Sequence, residues 1–161
     1  MLKVGQIGLG NWGKRFLPVL NGLANVVLCT NRSAKEGERW LNKEYPKINH
    51  TFDFRDIIND KSIDAVFITS PINTHYKITK QCLMAGKNVF VEKPIAISKN
   101  EVKDLYSLAR NNNLALTVGY IFTYNPVLKQ IKEIIGNEKI NEITMQWEKY
   151  GTFGENILWN L

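Results

Sequence analysis

The sequence predicts an α/β fold in which a parallel sheet is wound on both faces by helices. Three observations predict it. Short apolar, β-branched runs alternate with helix-length segments along most of the chain. The first run, Lys3-Val4-Gly5-Gln6-Ile7, ends in the spacing Gly8-x-Gly10-x-x-Gly13 and passes directly into a helical segment. Later runs end in polar stretches, Thr69-Ser70-Pro71 and Glu92-Lys93-Pro94, which an open parallel sheet presents at its carboxyl edge, where ligands bind.

The glycine turn comes first because the rest of the chain is arranged around it. Gly8 permits a tight turn. Gly10 carries no Cβ, so a pyrophosphate can approach the backbone. Gly13 lets the following helix, expected over residues 14–22, lie close to the strand. The unpaired N–H groups and positive end of that helix then face the phosphates, with Asn11 and Trp12 on the turn itself. A glycine turn of purely structural purpose is the alternative. The run Asn25-Val26-Val27-Leu28-Cys29-Thr30 completes a βαβ unit of about 30 residues. Where NAD-binding versions place a carboxylate for the ribose, this chain reads Asn31-Arg32-Ser33. Arg32 can pair with a 2′-phosphate and Ser33 can donate to it, which favours NADP over NAD. Alternatively, Arg32 is a surface residue and Ser33 caps the next helix.

A helix over 33–43, a short strand over 48–52 and a short helix over 53–58 follow. The buried strand 64–69 delivers Thr69, Ser70 and Pro71, and a helix over 73–85, carrying Asn73 and His75 in its first turn, stops at Gly86. The strand 88–91 delivers Glu92-Lys93-Pro94. A lysine there can hydrogen-bond a substrate oxygen and stabilise negative charge on it, with Glu92 holding the ammonium; an ordinary surface salt bridge is the alternative. Ser98 and Glu101 form a capping box for a helix reaching Arg110. A sixth strand over 114–118, a helix from Pro126 to Ile135 and a strand over 140–149 complete the pattern. The division expected is 1–122 and 123–161.

The 161 residues suffice for a sizeable core, and net charge +6 is scattered with no dense basic tract, which argues against nucleic acid as partner. Cys29 and Cys82 lack metal spacing and read as buried thiols of a reducing compartment. No signal-peptide pattern and no run of about 20 apolar residues occur, so a cytoplasmic protein without metal or membrane is expected.

Glu92-Lys93-Pro94 together with the first glycine turn resembles the Gfo/Idh/MocA family of oxidoreductases. The flanking text is similar too: Thr69-Ser70-Pro71 with Asn73 and His75, Ala85-Gly86-Lys87-Asn88-Val89, and Tyr124-Asn125-Pro126. The segment from Phe122 to Pro126, with Gly154 and Leu158-Trp159, is most similar to members acting on nucleotide sugars. The resemblance implies a Rossmann domain followed by the start of a second α/β domain. It also implies hydride transfer between NAD or NADP and a hydroxyl carbon of a sugar, nucleotide sugar or cyclitol. By the same resemblance Lys93 contacts the reacting oxygen, and Gly8, Gly10, Asn11, Trp12 and Gly13 line the pyrophosphate. Thr69, Ser70, Pro71, Asn73, His75 and Glu92 sit near the nicotinamide ribose, and Tyr120 and Asn125 near nicotinamide or substrate; a solvent-facing His75 is the alternative. Three departures stand out: no carboxylate follows the second strand, Thr123 replaces a common Arg, and the chain stops before the helix that carries the family's acid–base histidine. Neither His50 nor His75 matches that histidine, and Asn160 stands where an Asp is expected. A dinucleotide-binding piece with little turnover is therefore the alternative to a dehydrogenase. The unpaired strand 140–149 is expected to be disordered or to pair with a second copy of the chain, so a homo-oligomer is expected.

Overall fold

The computed structural model describes residues 1–30, 35–142 and 144. The chain divides into two compact units, Met1–Phe122 and Thr123–Leu161. The first is a doubly wound α/β domain. Its strands β1 (Lys3–Ile7), β2 (Asn25–Thr30), β3 (Asn49–Thr51), β4 (Ala65–Ile68), β5 (Asn88–Val91) and β6 (Leu116–Val118) form one sheet in the order β3-β2-β1-β4-β5-β6. Every pairing is parallel. The helices are α1 (Asn11–Leu23), α2 (Lys35–Glu44), α3 (Phe54–Asn59), α4 (Ile72–Met84) and α5 (Lys99–Asn111).

Period-two alternation in the strands separates two cores. Val4, Val26 and Cys29 face one side, with Leu17 and Leu20 of α1 and Leu41 of α2. Ile7, Val66, Ile68, Val89 and Val91 face the other, with Ile57 of α3, Ile78 and Leu83 of α4 and Leu105 of α5. Phe16 of α1 closes the first face over Phe67 and Phe90, ring centroids 5.8 and 5.1 Å away. Sheets of this kind are near-continuously apolar because both faces are covered. Buried polar side chains depart from that pattern, Gln6, Thr69 and Lys87 among them. Gln6 and Thr69 belong to the glycine turn described below. The ammonium of Lys87 donates to the carbonyls of Asp60 (2.6 Å) and Ile63 (2.7 Å) and ties the amino edge of the sheet together.

Element boundaries differ from the sequence expectation in instructive places. Helix α1 begins at Asn11, three residues before the expected start, because Gly10 takes an extended N-cap conformation and Gly13 is absorbed into the first turn. Strand β6 is shorter, beginning at Leu116. The capping box at α5 forms as expected: Ser98 Oγ accepts from Glu101 N–H, and the Glu101 carboxylate accepts from Ser98 N–H.

In the second unit, α6 (Pro126–Ile135) has Pro126 at its start and ends at Gly136, whose φ of +58° suits glycine. Of the strand expected over 140–149, Ile140, Asn141 and Glu142 are not in a strand, and most of the remainder lies outside the described residues, as do Gly154, Leu158, Trp159 and Asn160. The expected self-pairing of that strand falls outside them as well. No described helix is long and apolar enough to cross a membrane.

Candidate functional site

Because all six strands run parallel, the turns after them share one edge of the sheet. The chain leaves β1 to one side and reaches β4 on the other, and between these oppositely directed crossovers the carboxyl edge opens into a crevice.

The glycine turn is fixed by contacts that only glycine permits. Gly8 has φ +110°, and a Cβ there would lie 2.7 Å from the Thr69 carbonyl carbon. A Cβ on Gly13 would lie 2.1 Å from the Gly8 carbonyl oxygen. That same oxygen accepts from Thr69 Oγ1 at 2.8 Å and from Gln6 Nε2 at 3.0 Å, and Gln6 Nε2 also donates to the Gly13 carbonyl at 2.9 Å. The turn is therefore tied to β1, to α1 and to the end of β4 at once. Gly10 differs: a Cβ there would meet nothing within 4 Å. No side chain caps α1 and no acidic residue occupies its first turn. Open space lies before Gly10 and an uncapped helix end behind it, which fits a pyrophosphate. Asn11 and Trp12 are exposed on this turn.

Beside the turn lies a cleft of 540 Å³ lined by Ile7, Gly8, Thr30, Phe52, Phe54, Ser70, Pro71, Asn73, Thr74, Lys77 and Ile78. Four of the residues predicted from sequence line it: Gly8, Ser70, Pro71 and Asn73. Its remaining lining was not foreseen. Phe52 and Phe54 follow β3, and Lys77 and Ile78 stand one turn into α4, beyond the motifs that draw attention. Ser70 and Thr74 form a small relay: Thr74 Oγ1 donates to the Pro71 carbonyl (2.6 Å) and lies 2.7 Å from Ser70 Oγ.

His75 departs from the solvent-facing alternative. It faces neither solvent nor the cleft; it is 2% exposed. Nδ1 lies 2.8 Å from the Pro94 carbonyl oxygen and Nε2 2.7 Å from the Ser70 carbonyl oxygen. With both nitrogens engaged by backbone, the ring has no polar atom left for a ribose. It is a clamp joining the β4 loop to the turn that carries Lys93.

That turn has a cis Lys93–Pro94 peptide bond. Glu92 is buried, its carboxylate accepting from the Lys93 backbone N–H at 3.2 Å, and Lys93 itself is exposed. The Glu92 carboxylate lies against Gly119, where a Cβ would come within 2.9 Å of Oε1. Gly119 thus makes room for the buried acid, a role that nothing in its sequence context advertises. Tyr120 is exposed directly after it. Asn125, in the second unit, caps α6: its Oδ1 accepts from Val127 N–H at 2.9 Å. Asn31, Arg32 and Ser33 lie outside the described residues. Among the described residues no group of three or more His, Cys, Asp or Glu could hold a metal ion. Burial pushes the Cys29 and Cys82 thiols up to about 12, which makes them poor nucleophiles.

Strand order, glycine turn and carboxyl-edge cleft together define a dinucleotide-binding α/β domain. The chain belongs to the Gfo/Idh/MocA family: the profile described as "Oxidoreductase family, NAD-binding Rossmann fold" matches residues 2–120. Oxidoreductase YrbE of Bacillus subtilis is 30% identical over 139 residues, covering 84% of this chain and 40% of its own length. Inositol 2-dehydrogenase of Salmonella typhimurium is 28% identical, covering 89% of this chain and 44% of its own. The crystal structure of scyllo-inositol dehydrogenase from Lactobacillus casei with bound NAD(H) and scyllo-inositol superposes with a TM-score of 0.77 at 27% identity, over 84% of this chain and 41% of that one. The chain therefore spans about two fifths of the relatives it matches.

Proposed function

We propose that this chain forms the coenzyme-binding part of an NAD(P)-dependent dehydrogenase that moves hydride between nicotinamide and a hydroxyl-bearing carbon of a sugar, nucleotide sugar or cyclitol. The space before Gly10, backed by an uncapped helix end, carries the reading. Gly8, Gly10, Asn11, Trp12 and Gly13 hold the pyrophosphate. The adenosine half lies in the cleft between Phe52 and Phe54 on one side and Asn73 and Lys77 on the other. Thr69, Ser70, Pro71 and Glu92 stand at the nicotinamide ribose. The coenzyme supplies the hydride chemistry.

Lys93 is the residue proposed to touch the reacting oxygen. Its ammonium donates a hydrogen bond to that oxygen and stabilises the charge that grows there as the hydroxyl proton leaves. His75 and Glu92 act through the backbone, fixing the turn on which Lys93 stands. Tyr120 and Asn125 are proposed substrate neighbours. The cyclitol class is supported by the inositol dehydrogenases among the relatives, and the nucleotide-sugar class by the Phe122–Pro126 motif. NADP is favoured over NAD by the absence of a carboxylate after β2 and by Arg32.

Isothermal titration with NADPH and NADH tests the reading. Saturable binding of at least one coenzyme is expected, at micromolar to millimolar concentration. Absence of heat from either at about 1 mM, a binding free energy weaker than about 4 kcal/mol, would overturn it.

A further inference from the structure

We propose that Lys77 recognises the 2′-phosphate of NADP and is the described residue that sets coenzyme preference; this rests on the reading that the cleft holds the adenosine half of the coenzyme. Lys77 stands on α4 four residues past Asn73 and three past Thr74, a spacing that puts the three on one side of the helix, and all three line the cleft. The cleft also takes in Thr30, the last residue of β2, and the ribose hydroxyls of a dinucleotide come down at the end of that strand in this fold.

The charge inventory of the cleft decides what the ribose carries. Lys77 is the one charged residue lining it among the described residues. No carboxylate lines it to accept from a 2′-hydroxyl, the arrangement that would reward NAD. Asp53, which sits in sequence between Phe52 and Phe54, does not line the cleft, and its carboxylate is held by Arg55 and by the N-terminus of α3. An ammonium donates a charge-assisted hydrogen bond to either group, but only the phosphate dianion adds the attraction of opposite full charges. The field of this wall therefore favours the phosphorylated ribose. Sequence reading assigned the task to Arg32 and Ser33 alone; α4 supplies a cation from a different element.

The test is isothermal titration of the whole chain and of Lys77→Met and Lys77→Arg with four probes: NADPH, NADH, 2′,5′-ADP and 5′-AMP. Because Lys77 is solvent-exposed, the effect is that of a screened charge, about tenfold. Lys77→Met should weaken NADPH and 2′,5′-ADP about tenfold while NADH and 5′-AMP stay within about twofold, and Lys77→Arg should keep the wild-type ratio. Equal weakening of both coenzymes would overturn the assignment, placing the lysine on the shared adenine or pyrophosphate. So would an unchanged ratio, or a wild-type preference for NADH. If wild type binds neither coenzyme, the functional reading itself fails. If it binds both and Lys77→Met leaves their ratio untouched, only the role of Lys77 fails. Exposed Lys77 variants should melt with wild type, so altered binding is not a folding defect.

Discussion

Replacing Gly10 by Ala separates the fold from the function more cleanly than any other single change. Gly10 has φ −71° and ψ −171°, a conformation open to any L-residue, and its added Cβ would touch no protein atom within 4 Å. Two small stability effects oppose each other. Ala is a poorer N-cap than Gly by up to about 1 kcal/mol. Against that, Ala reduces the entropy of the unfolded chain, worth about 0.4–1 kcal/mol. The net should lie within about 0.5 kcal/mol, a shift in Tm of about 2 °C for a chain of this size. Coenzyme binding should behave differently. A methyl group in the space proposed for the pyrophosphate displaces it from the amides at the start of α1. Losing one charge-assisted hydrogen bond, at about 1.5–3 kcal/mol, lowers affinity by about 10- to 150-fold. Thermal melts followed by circular dichroism, with NADPH titration calorimetry on the same preparation, read both quantities. Gly10→Ala with an unchanged melt and full NADPH affinity would refute the placement of the pyrophosphate.

The remaining predictions concern neighbours of that turn. Gly13→Ala should destabilise by about 3 kcal/mol or more, because its Cβ meets the Gly8 carbonyl oxygen at 2.1 Å and Gln6 pins the carbonyls of both glycines; a denaturant melt matching wild type would contradict this. His75→Leu strips the Ser70 and Pro94 carbonyls of their shared partner and should cost about 2–4 kcal/mol, seen in the same melt. In the folded protein Cys29 and Cys82 should resist a thiol reagent at pH 8 and both react in denaturant. The same burial gives a pH dependence. Their folded pKa, about 12, lies above the unfolded value of about 9, so above pH 9 the unfolded state releases protons that the folded state keeps. Stability should therefore fall by up to about 1.4 kcal/mol per pH unit per thiol between pH 9 and 12, and Cys29→Ala should flatten that slope.

Much of this was legible in the sequence because the strands are buried on both faces and so read as plain apolar runs. Asn88–Val91 and Pro126–Ile135 fell where the residues put them, and Ser98 with Glu101 announced its own capping box. The glycine turn was legible because its three spaced glycines stand between an apolar run and a helical segment, the context that gives the spacing meaning. Less was legible where function comes from packing rather than from motif. Gln6 is a polar residue inside a buried run, and its amide ties two glycine carbonyls together; that polarity was the available signal. Gly119 supports Glu92 across a gap of 27 residues that no local pattern spans. Phe52, Phe54 and Lys77 come together only because β3 and α4 meet at the cleft, and strand order was needed to see it. His75 stood out as a histidine near a ligand-binding edge, but its burial against the Ser70 and Pro94 carbonyls depends on packing that no local pattern spells out.

The most direct test follows backbone amide shifts by NMR as NADPH is added to the 161-residue chain. The account predicts that the amides of Gly8, Gly10, Asn11, Trp12 and Gly13 shift together with those of Ser70, Asn73 and Lys77, saturating along one binding curve. Saturable shifts confined to other edges of the sheet, with the glycine turn unmoved, would contradict it.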